Sequence, residues 1–156
     1  MPSPSLSSLS PRLKSFIPTT YWAVFLGSLL LVMSLLQTGE NGYALIEVDA
    51  MDEHKPLLIH QAIVSAIGLI LGAWALFFWK FEKVTSESVN TFALTVGLGA
   101  AYTLFVIIQQ HRYYVKFISS EDPDRAEHIR NVMYGNVILF SIMTMLMILL
   151  VFYGWN

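Results

Sequence analysis

Hydrophobic positions in this chain fall in long unbroken runs rather than in alternating or amphipathic stripes. Four of these runs, Tyr21–Leu36, Leu57–Trp79, Val89–Ile108 and Val132–Tyr153, contain no Asp, Glu, Lys or Arg. Each approaches the roughly 20 residues that an α-helix needs to cross bilayer hydrocarbon. Within lipid the backbone must satisfy its own hydrogen bonds, so helices are expected. The pattern predicts an all-α integral membrane protein built as a four transmembrane helix bundle.

Boundary signals refine the elements. Helix 1 is expected to start after Pro18, with Thr19 or Thr20 as its cap, and to end at Gly39 and Gly42. The loop that follows, about 37–56, carries Glu40, Glu47, Asp49, Asp52 and Glu53 beside Lys55. Leu45, Ile46 and Val48 within it suggest a short surface helix. Pro56 suits a first helical turn, so helix 2 is expected to begin there and run to Trp79. Its exit through aromatics and Lys80 fits a membrane interface.

Helix 3 is expected to start near Ser88 or Asn90. Its pattern continues past the apolar run through Gln109, Gln110, His111, Arg112, Tyr113, Tyr114 and Lys116. Helix 4 starts before its own apolar run. Asp122 is placed to cap it and Pro123 to open it, and Asp124 and Glu127 favour the positive end of the helix dipole. Arg125, His128 and Arg130 follow. Each of these two helices would be about 30 residues, or about 45 Å, long. They are expected to extend beyond the bilayer as a hairpin, by about 10 Å or more.

Residues 1–18 are rich in Ser and Pro, hold Arg12 and Lys14 and lack acids. They are expected to form a flexible tail, with an organelle-targeting presequence as the alternative. Residues 19–156 form the transmembrane domain. Alternating spans put Arg12, Lys14, Lys80 and Lys83 on one side and Lys55, Arg112, Lys116, Arg125 and Arg130 on the other. That balance is nearly even. The basic residues before helix 1 point to both termini on the cytoplasmic (or matrix or stromal) side.

Composition narrows the function classes. Of 156 residues, 55% are hydrophobic and 13% charged, about half the charged share of a soluble domain. Mean hydropathy is +0.58. A net charge of −2 offers no basic face, so nucleic acid is not an expected partner. The absence of cysteine excludes disulfides, thiol catalysis and cysteine-ligated metal centres. No ionisable acid or base of the Asp, Glu, Lys or Arg type stands at mid-membrane, which disfavours a self-sufficient pump or ion-coupled carrier.

Small residues recur at helical spacing: Gly68 with Gly72, Ala62 with Ala66, and Ala93, Gly97 and Ala101. Such stripes let helix backbones approach closely in lipid, and they are expected to pack helix 2 against helix 3. Met143 and Met147 share a face of helix 4 while Met145 points elsewhere, which suits packing better than a metal site.

The chemistry-bearing candidates cluster toward one end. His60 near the start of helix 2 and His111 near the end of helix 3 fall on the same membrane side, flanked by Gln61, Gln109, Gln110 and Arg112. Such a cluster can bind a quinone headgroup, ligate b-type haem, or hold a divalent metal through imidazole. His60, Gln61, His111 and Arg112 are therefore the candidate cofactor-binding residues. Contact with interfacial headgroups is the plainer alternative for them.

The run Asp124-Arg125-Ala126-Glu127-His128-Ile129-Arg130-Asn131 resembles the Arg/Asn-bearing helix start of the MAPEG glutathione-handling membrane enzymes, also four-helix proteins of about this size. In that family the motif opens the second helix. Here it opens the fourth, and Tyr134 or Gly135 stands where a glutamate is expected. The resemblance covers this short run alone and does not assign the family. What it implies is a membrane enzyme acting on lipophilic substrates.

The function expected first is a non-catalytic subunit or assembly factor of a larger membrane complex. Other membrane subunits and the lipid bilayer are its partners, with contact through Tyr113, Tyr114, Arg125 and Arg130. A haem b- or quinone-binding anchor of an electron-transfer complex is the alternative, and the MAPEG-like enzyme the second.

Overall fold

A computed structural model of the chain describes residues 19–47, 55–80, 85–119 and 123–153. These form four helices: α1 (Thr19–Glu47), α2 (Lys55–Lys80), α3 (Ser86–Ser119) and α4 (Pro123–Tyr153). All four are long and apolar enough to span a membrane, as an integral membrane protein requires. The flexible-tail expectation for residues 1–18, the Asp122 cap and Val48 all lie outside the described residues.

α1 does not stop at Gly39 and Gly42 but continues to Glu47. The segment expected to be an acidic loop is helical up to that residue. A glycine inside a helix costs only about 1 kcal/mol relative to Ala. Tertiary contacts of the same turns outweigh it, because Gln37 and Asn41 are buried there. α3 begins at Ser86, earlier than Ser88. Thr85 is its cap: the Ser88 amide donates to Thr85 Oγ1 at 3.2 Å, and Thr85 Oγ1 meets Ser88 Oγ at 2.8 Å. α3 and α4 have 34 and 31 residues, as their continuous helical pattern requires.

The helices pack in a ring, α1 on α2, α2 on α3, α3 on α4 and α4 back on α1. Neighbours run antiparallel. Along the α1–α2 seam Gly27 meets Ala75, Ser34 meets Gly68, and Gln37 bonds Gln61. Along α3–α4 Gly97 meets Met147, Thr103 meets Met143, and Gln110 bonds Asn136. In both seams residue numbers rise on one helix as they fall on the other, so the topology is up-down-up-down.

Buried positions recur every three or four residues on each helix, for example Ala23, Leu26, Leu30, Ser34, Gln37 and Asn41 on α1. That spacing is the left-handed bundle seam. The outward positions are also apolar: Phe25, Ile70, Leu98 and Val151 are all more than half exposed. In a bilayer these face lipid. The interior, in contrast, holds Ser34, Gln37, Asn41, Gln61, Ser65, Thr103, Gln110 and Asn136, all buried. The bundle therefore carries polar groups inside an otherwise apolar core, and apolar side chains on the outward faces of its spans.

The small-residue stripe on α2 faces α1, not α3. A Cβ on Gly72 would lie 2.8 Å from the Gly27 carbonyl oxygen and 2.9 Å from Leu31, and one on Gly68 would strike Ser34 Oγ. The closest backbone approach is thus made with helix 1, whose Gly27 supplies the matching gap. On α3 it is Gly99 that reaches α2, 3.0 Å from Ile67 as a hypothetical Cβ, while Gly97 faces Met147 of α4. Ala66 and Ala101 of the expected stripes are exposed. Met143 is fully buried and Met145 is exposed, in keeping with a packing role for the shared Met143/Met147 face.

Two glycines of α1 and α2 should therefore respond in opposite ways. Gly72→Val is expected to lower unfolding free energy in detergent by about 1–3 kcal/mol through overpacking. Gly39→Ala, where a Cβ meets nothing within 4 Å, is expected to be neutral or to stabilise by up to about 1 kcal/mol. Equal losses at both positions would contradict the α1–α2 contact.

A four-helix amide layer and its polar end

Each helix places one carboxamide at the same level of the bundle: Gln37 on α1, Gln61 on α2, Gln110 on α3 and Asn136 on α4. All four are buried, with exposures of 6%, 1%, 1% and 0%. Gln61 is the hub. Its Nε2 donates to Gln37 Oε1 at 2.8 Å and to Asn136 Oδ1 at 2.9 Å. Its Oε1 accepts from Gln110 Nε2 at 2.9 Å and from Asn136 Nδ2. Asn136 Nδ2 also donates to Gln110 Oε1 at 2.8 Å. An amide offers two donors and two lone pairs, and Gln61 uses both kinds fully here.

Neighbouring residues make room for the layer. Gly135 faces Gln37, and a Cβ there would collide with the Gln37 amide nitrogen. Asn41 Nδ2 caps the Gln37 carbonyl oxygen at 2.9 Å, and Ser65 Oγ donates to the Gln61 carbonyl oxygen at 3.2 Å. A small cavity of about 10 Å³ adjoins the layer, lined by Leu57, Leu58, Gln61, Gln110, His128, Ile129 and Val132. It is about the volume of one water, not of a substrate.

Beyond the layer a second small core forms from Leu57, Ala126 and Ile129, with Tyr113 and Tyr114 packed against it half-buried. Arg112 and Lys116 are exposed at this end. Arg130 pairs with Glu127 at 3.9 Å, and both side chains are well exposed. Such a surface pair contributes at most about 1 kcal/mol. The Arg125 side chain lies outside the described residues.

The candidate histidines are not brought together. His60 is half-buried on the α2–α3 seam, its Nδ1 2.6 Å from Tyr102 Oη, with the ring against Tyr102 and Phe105. His111 is exposed, and no hydrogen bond or ring contact links it to His60 among the described residues. Gln61, expected beside the histidines, turns into the amide layer instead. Among the described residues no group of three or more His, Cys, Asp or Glu is placed to hold a metal ion. Gln37 and Asn136 were not singled out from the sequence. The signal for them was their place in the buried spacing of α1 and α4, within otherwise apolar turns.

Compared with protein-family models, with curated proteins and with solved structures, the chain matches none.

Removing the hub strands its partners. Gln61→Leu should destabilise the bundle by about 2 kcal/mol or more, since membrane side-chain bonds contribute about 0.6–2 kcal/mol each. Gln61→Leu with Asn136→Leu should cost less than the sum of the singles, because both members of a bonded pair are then apolar. Ser65→Ala, which loses one local bond, should change stability by less than about 0.5 kcal/mol. Reversible unfolding in detergent reads all three, and a Gln61→Leu value no larger than that of Ser65→Ala would contradict the layer.

Proposed function

We propose that this chain is a non-catalytic subunit or assembly factor of a larger membrane complex. It is an integral membrane protein, with both termini on the cytoplasmic (or matrix or stromal) side. The α3–α4 hairpin stands out of the bilayer and meets the partner through Tyr113, Tyr114, Arg125 and Arg130.

The observation that carries this reading is the division of the polar groups. Interior amides are neutral and engaged with one another across all four helices, which makes the interior a fixed scaffold. Arg112, Lys116 and Glu127 are exposed at one end of α3 and α4, with Arg130 half-buried beside them. α3 continues from Ile108 to Ser119, about 16 Å past its apolar run. α4 opens at Pro123, about 13 Å before its own run begins at Val132.

A haem b- or quinone-binding anchor is the second reading, favoured by the position of His60 inside an apolar run. The two readings separate on a visible spectrum of the protein from native membranes.

The tagged chain, extracted from its own membranes in mild detergent, should run as a large hetero-complex whose other chains are identified by mass spectrometry. Arg112→Glu with Arg130→Glu should reduce partner recovery by about tenfold, the effect of losing roughly 1.4 kcal/mol of contact, and lower the unfolding free energy of the isolated chain by no more than about 1 kcal/mol, the scale of the surface pair with Glu127. Recovery of a monomer or homo-oligomer alone would overturn the subunit reading.

A further inference from the structure

The His60–Tyr102 pair has a hydrogen-bond donor left over whichever way its protons are arranged. The 2.6 Å contact joins His60 Nδ1 to the phenol oxygen. If Tyr102 donates to Nδ1, the neutral imidazole carries its proton on Nε2, and that N–H is unpaired. If Nδ1–H donates to the phenol oxygen, the phenol O–H is unpaired instead. A charged imidazolium leaves both. Neither residue has a further polar partner among the described residues.

The surroundings do not supply one. His60 and Tyr102 lie within the apolar runs Leu57–Trp79 and Val89–Ile108. Both side chains are partly exposed on the outer seam of α2 and α3. Phe105 closes one side of the pair, its ring centroid 6.1 Å from that of His60 and 6.2 Å from that of Tyr102, and is itself 45% exposed. Ile59 and Ile63 are exposed on α2 and Leu104 and Ile108 on α3. In a bilayer this seam faces hydrocarbon, where no water satisfies a donor. Gln61, one residue from His60, has its full complement of bonds in the amide layer and cannot turn out to help.

The geometry points to a binding site for a lipid-soluble carbonyl compound at His60, Tyr102 and Phe105. The carbonyl oxygen accepts the leftover donor, and the Phe105 ring lies against the flat, unsaturated group that bears the carbonyl. Two molecules offer that chemistry in a membrane: a quinone, whose ring carries its carbonyls into the hydrocarbon, and a phospholipid, whose ester carbonyls lie at its edge. The site shares His60 with the anchor reading but requires neither His111 nor any electron transfer, so a missing haem or redox signal leaves it standing. It binds alike in a lone chain or in a complex.

The test uses the full chain, labelled with 15N-histidine, in nanodiscs of an ester-linked phosphatidylcholine, of its ether-linked counterpart, and of the ether lipid with decylubiquinone. His60→Phe identifies the His60 resonances by their loss. A quinone site predicts that the His60 15N resonances shift on adding decylubiquinone to the ether lipid. It also predicts that removing both donors, His60→Phe with Tyr102→Phe, lowers the quinone retained by roughly tenfold, the scale of one lost hydrogen bond. A phospholipid carbonyl predicts that the shift is already present in the ester lipid and absent in the ether lipid without quinone. Identical histidine 15N resonances in all three discs would overturn the site, and this outcome is read on the unmodified chain without either variant.

Discussion

A carboxamide in the middle of a lipid-surrounded bundle has no water to bond, so it must find its partners in the protein. Four helices of this chain each bring one such group to a single level, and Gln61 joins them. The layer fixes more than four side chains. It sets the register of α2 against α1, α3 and α4 together, because a shift by one turn on any helix would break bonds to the hub. Apolar side chains alone leave that register loose in lipid, where there is no hydrophobic drive between helices. Packing on either side of the layer is then compatible with it: Gly135 leaves space for Gln37, and Gly68 and Gly72 let α1 lie against α2.

The same constraint divides the molecule into two regions of different use. Below the layer the bundle is closed by Leu30, Leu71, Phe92 and Met143, with a ring cluster of Trp74, Phe78 and Phe92 at centroid separations of 5.0 to 5.9 Å. This part has a rigid interior and an apolar exterior. Above the layer α3 and α4 run on together with charged and tyrosine side chains. The charged and tyrosine side chains that α3 and α4 carry there, with Arg112, Lys116 and Glu127 exposed, are the physical basis of the proposed subunit reading. The His60–Tyr102 pair lies outside this layer, half-buried on the outer seam of α2 and α3.

The four spans were legible in the sequence because uninterrupted apolarity is a property of single helices. The continuity of α3 past His111 and of α4 back to Pro123 was legible for the same reason: turn-by-turn pattern and capping chemistry are local. What was not legible depends on partners. Gly39 and Gly42 read as a stop until Gln37 and Asn41, in the same turns, are seen buried. The Gly68–Gly72 stripe announces a close approach without naming the helix that approaches, and only Gly27 and Ser34 opposite reveal it as α1. Gln61 was noticed for its neighbour His60, yet the two side chains point about 100° apart around the helix and belong to different surroundings. Asn136 carried no spacing motif of its own, since an amide layer is a coincidence of depth among four segments distant in sequence.

The most direct measurement is a double-mutant cycle between Gln37 and Asn136, read by reversible unfolding in detergent. These two side chains do not bond each other; each bonds Gln61. If the layer acts as one unit, Gln37→Leu and Asn136→Leu should couple by about 0.5 kcal/mol or more. If the two effects simply add, the amides are separate contacts, and the claim that one layer sets the register of all four helices fails.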